Sequence, residues 1–314
     1  MNRETVLITG GNSGIGLECA RQLAKDGRRV VIASRNLAAS EDAAEALRRE
    51  HGEDAALALA LDLGELSSVR SFVAEVEARD LHLKALVCNA GLQGIHERAS
   101  PDGVELTVAV NHLGHFLLVN LLLERLRRHA PARVVVVSSG VHDAGLTTGM
   151  PTPRMDDLDA LFARGGSHDG AYNGQRAYVN SKVCNMLFTY ELVRRLGPDS
   201  RVTVNAFDPG LVPGSGLARD YSPALRFFWD KVLPAAASVV THLTPRVNPA
   251  WKSGQALARL VTDPALEGVT GRYYPSHTRW EEARSSEASY DTARQRALWD
   301  LSAQRAGLPT TAVG

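Results

Sequence analysis

The run Thr5-Val6-Leu7-Ile8-Thr9-Gly10-Gly11-Asn12-Ser13-Gly14-Ile15-Gly16 decides the fold of this chain. Its opening residues are β-branched or aliphatic and read as a strand, while Leu17 to Ala24 continue in a helical pattern. Between strand and helix stand Gly10, Gly11, Gly14 and Gly16. Glycines there let the backbone approach a pyrophosphate, and the exposed amides and positive end of the following helix stabilise its charge. The spacing is Thr-Gly-x-x-x-Gly-x-Gly rather than Gly-x-Gly-x-x-Gly, and glycines also make ordinary turns. Their position between the first strand and the first helix favours a bound nucleotide.

Outward from this turn, short β-branched runs alternate with longer amphipathic segments as far as about residue 210. That rhythm predicts an α/β fold of the Rossmann type, a doubly wound parallel sheet flanked by helices. We expect about seven strands, near 5–9, 29–34, 55–61, 84–88, 133–138, 201–206 and 271–274. No repeat or linker divides the chain, so 1–314 reads as a single domain. Leu117 to Leu123 is the most apolar helical stretch, but it is short and followed by Glu124, Arg125, Arg127 and Arg128. It reads as a buried helix rather than a membrane span. A last amphipathic helix is expected from Glu287 to Arg305, with Leu298, Trp299 and Leu301 available for burial.

The 314 residues are 44% hydrophobic and 22% charged, enough for a large core, and the 35 basic and 35 acidic side chains cancel. This balance lacks the electrostatic footprint of a nucleic-acid or anionic-membrane binder. Cys19, Cys88 and Cys184 are far apart and suit a reducing compartment as buried small residues. The first strand begins almost at Met1 without a charged leader, so a cytoplasmic location is expected. His112 and His115 share a helix face without an evident third ligand, and no metal site is expected. Arg127-Arg128-His129 and Arg194-Arg195 read as solvated helix ends.

Ala177-Tyr178-Val179-Asn180-Ser181-Lys182 places a phenol and an ammonium on one face of a helix. A phenol titrates near pH ~10, and using it as a proton donor near neutrality requires about 4 kcal/mol of help for the phenolate. A positive charge about 5 Å away at an effective dielectric of about 20 supplies on the order of 3 kcal/mol. The same spacing also suits an ordinary helix face, and it is the glycine turn at the other end of the chain that gives it weight. The second strand ends at Arg35, where an acid would bind the ribose hydroxyls of NAD; an arginine, helped by Ser34 and Asn36, suits the extra phosphate of NADPH. NADPH is therefore expected over NADH.

In order along the chain come Thr9 to Gly16, Asp62-Leu63, Asn89-Ala90-Gly91, Asn111, Ser139, Tyr178 with Lys182, and Pro209-Gly210. Together they resemble the short-chain dehydrogenase/reductase family over nearly the whole chain. The resemblance implies a catalytic set of Asn111, Ser139 (rather than Ser138), Tyr178 and Lys182. It implies cofactor contacts from Thr9, Gly10, Asn12, Ser13, Gly14, Ile15 and Gly16, from Arg35, Asp62 and Leu63, and from Asn89, Ala90 and Gly91. Tyr178, Lys182, Pro209, Gly210 and Val212 complete them. Within the family, Ala85 to Ala90, Asn111 to Leu118, Ser181 to Leu187, Gly216-Leu217 with Arg219, Thr262-Asp263-Pro264 and Ser286 to Ser289 are most similar to light-dependent protochlorophyllide reductases, with retinol-dehydrogenase-like members near. Two positions depart from that branch: Leu211 stands where it has cysteine after the Pro-Gly, and Ser139 where it usually has threonine.

The resemblance therefore implies hydride transfer between a nicotinamide and a carbonyl or alcohol. Tyr178 moves the proton, Ser139 orients the substrate oxygen, Lys182 lowers the tyrosine pKa, and Asn111 positions a water beside the lysine. Reduction of a conjugated C=C bond, as in protochlorophyllide reductases, and a non-catalytic NADPH-binding role are the alternatives. Residues 142–176 form an insertion expected to wall the site, and the proline-broken 211–250, around Phe227-Phe228-Trp229, is expected to form a lid over a bulky apolar substrate. Those three aromatics suit packing of the lid onto the core equally well. Many family members associate through the helices that hold Asn111 and Tyr178, so a homo-oligomer stays open.

Overall fold

The computed structural model describes residues 3–163, 171–215 and 246–311, with Phe227, Trp229, Leu233 and Thr244 described singly. Seven strands form one sheet: β1 (Thr5–Thr9), β2 (Arg29–Ser34), β3 (Ala56–Ala60), β4 (Leu83–Cys88), β5 (Ala132–Val137), β6 (Val202–Asp208) and β7 (Tyr273–Pro275). Their order is β3-β2-β1-β4-β5-β6-β7 and every pairing is parallel. A parallel sheet is covered on both faces, which is why β1 and β6 are buried along their whole length instead of alternating in and out.

The helices are α1 (Gly14–Lys25), α2 (Leu37–His51), α3 (Leu66–Ala78), α4 (Leu106–Arg128), α5 (Leu158–Phe162), α6 (Gly174–Leu196), α7 (Ala250–Thr262) and α8 (Thr292–Ala306). One apolar layer joins Ile8, Val30 and Val87 to Leu23 of α1, Leu47 of α2 and Leu257 of α7. The opposite layer joins Leu7, Leu86 and Val136 to Phe72 of α3, Phe116 of α4, Leu187 of α6 and Trp299 of α8. Helix α4 is long and apolar enough to span a bilayer by composition, yet 83% of its most apolar window is buried among these partners. It contains a π turn at Ala109–Leu113.

Strand positions follow the sequence closely. β7 begins later than expected because the Arg272 N–H donates to the side-chain oxygen of Asn205 on β6 rather than to a backbone carbonyl of that strand. The C-terminal helix also starts late. Glu287–Tyr290 is a separate 3-10 turn, and Asp291 then caps α8 by accepting the Arg294 N–H at 3.0 Å.

Of the pair expected as a solvated helix end, Arg194 is exposed in the last turn of α6 but Arg195 is largely covered. Both pair with the fully buried Glu191, and the Arg195 guanidinium lies 4.4 Å over the Trp299 ring. Trp299 itself meets Phe116 edge-on at 4.8 Å and stacks on Phe188 at 5.9 Å. Ser302 of α8 bonds the His112 Nε2 at 2.8 Å. Helix α8 is thereby packed onto α4 and α6 of its own chain. Trp299→Ala should destabilise the fold by about 3–5 kcal/mol through the cavity it leaves, read as a lowered denaturant midpoint.

Candidate active site

Strand order turns back between β1 and β4: β2 and β3 lie on one side, β5 to β7 on the other. At such a point the loops after the strands run to opposite faces and leave a crevice. A cavity of about 830 Å³ opens there. Its wall includes Gly10, Asn12, Ser13, Gly14, Ile15 and Gly16 of the first turn, then Ser34, Arg35 and Asn36, Asp62 and Leu63, and Asn89, Ala90 and Gly91. From the other half come Ser138, Ser139, Tyr178, Lys182, Pro209, Gly210 and Val212. Residues 200 positions apart in sequence thus face one space.

Thr9 and Asn111 do not line it; both are completely buried behind the wall. The Thr9 Oγ1 accepts the N–H groups of Asn89 and Ala90, each at 2.9 Å. With both lone pairs occupied, its proton goes to the His115 Nε2 at 2.8 Å. The His115 Nδ1 then carries the ring proton and donates it to the Asn111 carbonyl at 3.2 Å. Burial holds His115 neutral by pushing its pKa down to about 4, with the Lys182 charge adding to the effect and the hydrogen bond to Asn111 opposing it. His112 and His115 therefore serve the packing of α4; among the described residues no three His, Cys, Asp or Glu side chains gather as metal ligands.

The Asn111 side chain is engaged on every side. Its Oδ1 accepts the Leu92 N–H at 2.8 Å, and its Nδ2 donates to the Leu92 carbonyl and to the Ser181 Oγ, each at 2.9 Å. Ser181 in turn donates to the Tyr178 carbonyl at 2.6 Å. Asn111 thus joins the loop after β4 to the helix carrying Tyr178. The Lys182 Nζ donates to the Val137 carbonyl at 3.1 Å and lies 5.5 Å from the centroid of the Tyr178 ring. Burial lowers its pKa to about 8, against the opposing pull of Asp208.

The two serines after β5 divide cleanly. Ser138 is buried and its Oγ donates to the Lys182 carbonyl at 3.0 Å. Ser139 is half-buried, and its Oγ takes the Val141 N–H at 3.5 Å. Cys184, like Cys19 and Cys88, is buried, and burial raises its pKa.

The first turn fits a dinucleotide pyrophosphate. The Ser13 side chain makes no cap, the first turn of α1 holds no acid, and Ser13 to Gly16 line the cavity, so the start of the helix suits an anion. A Cβ on Gly16 would collide with the Gly10 carbonyl and stand 2.6 Å from the Asn89 Nδ2. Glycine is required there by close approach.

Of the expected insertion 142–176, residues 164–170 lie outside the described residues and none of the others lines this cavity. Met155, Leu161 and Phe162 turn into the core, and the Tyr172 hydroxyl bonds the buried Glu105 at 2.8 Å. Of the expected lid, 216–226, Phe228, 230–232, 234–243 and Pro245 lie outside the described residues. Phe227 is 63% exposed, and the Trp229 Nε1 donates to the Ser215 carbonyl at 3.0 Å.

Residues 4–151 match the short chain dehydrogenase family model. Retinol dehydrogenase 14 of Homo sapiens is 36% identical over 98% of this chain and 88% of its own length. Protochlorophyllide reductase of Avena sativa is 35% identical over 96% of this chain and 99% of its own. The chain belongs to the short-chain dehydrogenase family. Among solved structures, that of a putative uncharacterized protein from Mycobacterium Paratuberculosis is 30% identical, with a TM-score of 0.71 over 98% of this chain and 94% of that one. As a short-chain dehydrogenase, this chain is a nicotinamide-dinucleotide-dependent oxidoreductase acting on a small molecule.

Sequence reasoning missed Leu61, Leu92, Val110 and Ser215 in the wall of this dehydrogenase, and the buried Asp208 and His142 beside it. Leu61 and Leu92 adjoin quoted motifs, which was the available signal. Gly16→Ala should lower the stability of the enzyme by about 1–3 kcal/mol and weaken dinucleotide binding together, measured by denaturation and by cofactor fluorescence titration.

Proposed function

We propose that this short-chain dehydrogenase is an NADPH-dependent reductase of carbonyl groups on bulky apolar molecules, also able to run from the alcohol. The observation that carries the reading is that Ser139, Tyr178 and Lys182 share one cavity with the glycine turn and Arg35. When bound, the reduced nicotinamide supplies the hydride. The Ser139 hydroxyl donates to the substrate oxygen and holds it beside Tyr178. Tyr178 gives its proton to that oxygen as negative charge develops. Lys182 favours the phenolate left behind, and Asn111 keeps the helix of Tyr178 registered on the loop after β4. Arg35, exposed at the rim, would pair with the ribose phosphate that distinguishes NADPH. The chain as a whole works as one domain in this reading, with 211–250 as its substrate-facing part.

An apolar substrate is supported by Leu211, half-exposed directly after the Pro-Gly, and by exposed Phe227. Retinol dehydrogenase 14 is named for a long polyene alcohol, which fits the same class. Reduction of a conjugated C=C bond is the second reading, supported by the likeness to protochlorophyllide reductase.

The direct test is transfer of label from 4-deuterated NADPH to all-trans-retinal, aromatic aldehydes, enones and protochlorophyllide, in darkness and light. We expect deuterium on a carbinol carbon in the dark, lost in Tyr178→Phe by at least about 100-fold while NADPH still binds. The rate should be sustained below the Lys182 pKa of about 8 and fall as pH rises through it, because the lysine then loses its proton and its hold on the phenolate. Label on protochlorophyllide alone, under light alone, overturns the carbonyl reading.

Arg35→Ala should raise the KM for NADPH by about 10- to 100-fold, the value of one charge-assisted hydrogen bond, with little change for NADH. Equal effects on the two cofactors would remove Arg35 from phosphate recognition.

A further inference from the structure

His142 lies three residues after Ser139, at the end of a 3-10 turn, and is 1% exposed. Its Nδ1 is 2.7 Å from the Ser139 carbonyl oxygen, an atom that can only accept, so Nδ1 carries a proton. Its Nε2 receives the backbone N–H of Ser286 at 3.2 Å, so Nε2 is bare. The two bonds admit one species, the neutral Nδ1–H tautomer. They also connect positions 144 residues apart, His142 and Ser286.

The Ser286 segment is itself firmly held. The Ser285 Oγ bonds the Tyr190 hydroxyl of α6 and the Ser289 Oγ, both at 2.7 Å, and the Gln295 Nε2 donates to the Ser289 carbonyl at 2.8 Å. The surroundings of the ring are mixed. Asp143 of its own turn and Asp208 at the end of β6 favour the imidazolium, while Tyr273 of β7 meets the ring edge-on at 5.1 Å with its phenol pushed up by burial. Burial prevails and lowers the His142 pKa. Protonation would set an Nε2–H against the Ser286 N–H, two donors face to face.

We propose that His142 is a positioning residue for Ser139. Gripped at Nε2 by the Ser286 amide, it grips the Ser139 carbonyl through Nδ1, so that the segment after β7 sets the orientation of the serine that receives substrate. This rests on the role given to Ser139 above. His142 does not line the cavity and acts through the Ser139 backbone.

The test compares His142→Phe, which keeps a ring and loses both bonds, with His142→Asn, whose side-chain amide can replace Nδ1 as donor to the Ser139 carbonyl. With 4-deuterated NADPH and all-trans-retinal or an aromatic aldehyde, His142→Phe should lower kcat by about 10- to 100-fold, as expected for a misplaced reacting group. KM and the NADPH dissociation constant should stay within about twofold. His142→Asn should recover most of kcat. An activity-independent arm is deuterium exchange of the peptides covering 139–142 and 285–290. Both should exchange faster in His142→Phe, whereas in His142→Asn the first should regain its protection and the second should not.

Wild-type kcat in His142→Phe, or equal loss in both variants, overturns the proposal. So does unchanged exchange of 139–142. Absence of label transfer by the wild type overturns the carbonyl-reductase reading instead, and the exchange pattern alone then decides whether His142 couples the two segments.

Discussion

The hydroxyl of Thr9 ties together the two strands between which the cavity opens. Where parallel strands part, the amides that leave the ladder need new acceptors, and those of Asn89 and Ala90 point to the Thr9 hydroxyl. An unpaired buried N–H costs about 1–3 kcal/mol, and while the Asn89 N–H also meets the Val87 carbonyl at 3.0 Å, the Ala90 N–H relies on Thr9. The lone pairs of Thr9 accept both amides, and its proton continues through His115 to the carbonyl of Asn111 inside the π turn of α4. The glycine turn, the loop after β4 and the middle of α4 are therefore one hydrogen-bonded body. Valine at position 9 would match the threonine in shape and leave all three without their common partner.

On the other side of the cavity the governing term is desolvation. A buried lysine is disfavoured as a cation, and the Val137 carbonyl with the nearby Asp208 makes up part of that cost. What remains appears as a pKa lowered to about 8. The consequence is an ammonium poorly solvated by water and close to a phenol, which is the condition under which a charge at this distance acts strongly on its neighbour. Burial that weakens the lysine as a cation is also what gives its charge effect.

The parallel sheet was legible because its signal is local: β-branched runs at regular intervals, each followed by a helical period. The cavity wall was legible for the same reason. Most of the contributing motifs stand at the carboxyl end of a strand, and a parallel sheet delivers all such ends to one edge; Tyr178 and Lys182 come instead from within α6. Asn111 and Thr9 show the boundary of that logic. Sequence marks both as site residues, while their geometry makes them joints behind the wall, since hydrogen bonds that cross from one element to another leave no spacing in the chain. Arg195 reads locally as a solvated helix end, yet its neighbour in space is Trp299, about a hundred residues on. The start of α8 was misplaced because Asp291 caps it within a stretch whose apolar pattern runs through without a break.

The loop after β6 follows a different rule. Gly210 has φ +73° and is enclosed by the Arg246 carbonyl, the Asn248 amide and the Ser276 hydroxyl, with no room for a side chain. Leu211 pairs with Val247 through the Leu211 N–H to Arg246 and the Asn248 N–H to Leu211, and Ser253 donates to the Pro209 carbonyl at 3.0 Å. Every one of these contacts comes from chain that returns after the 212–245 excursion. The chain up to Ser215 and the chain from Arg246 onward are thus pinned to each other beside the cavity. The turn after β6 and the start of α7 therefore fix one edge of the cavity through contacts between residues some forty positions apart, which no spacing in the chain announces.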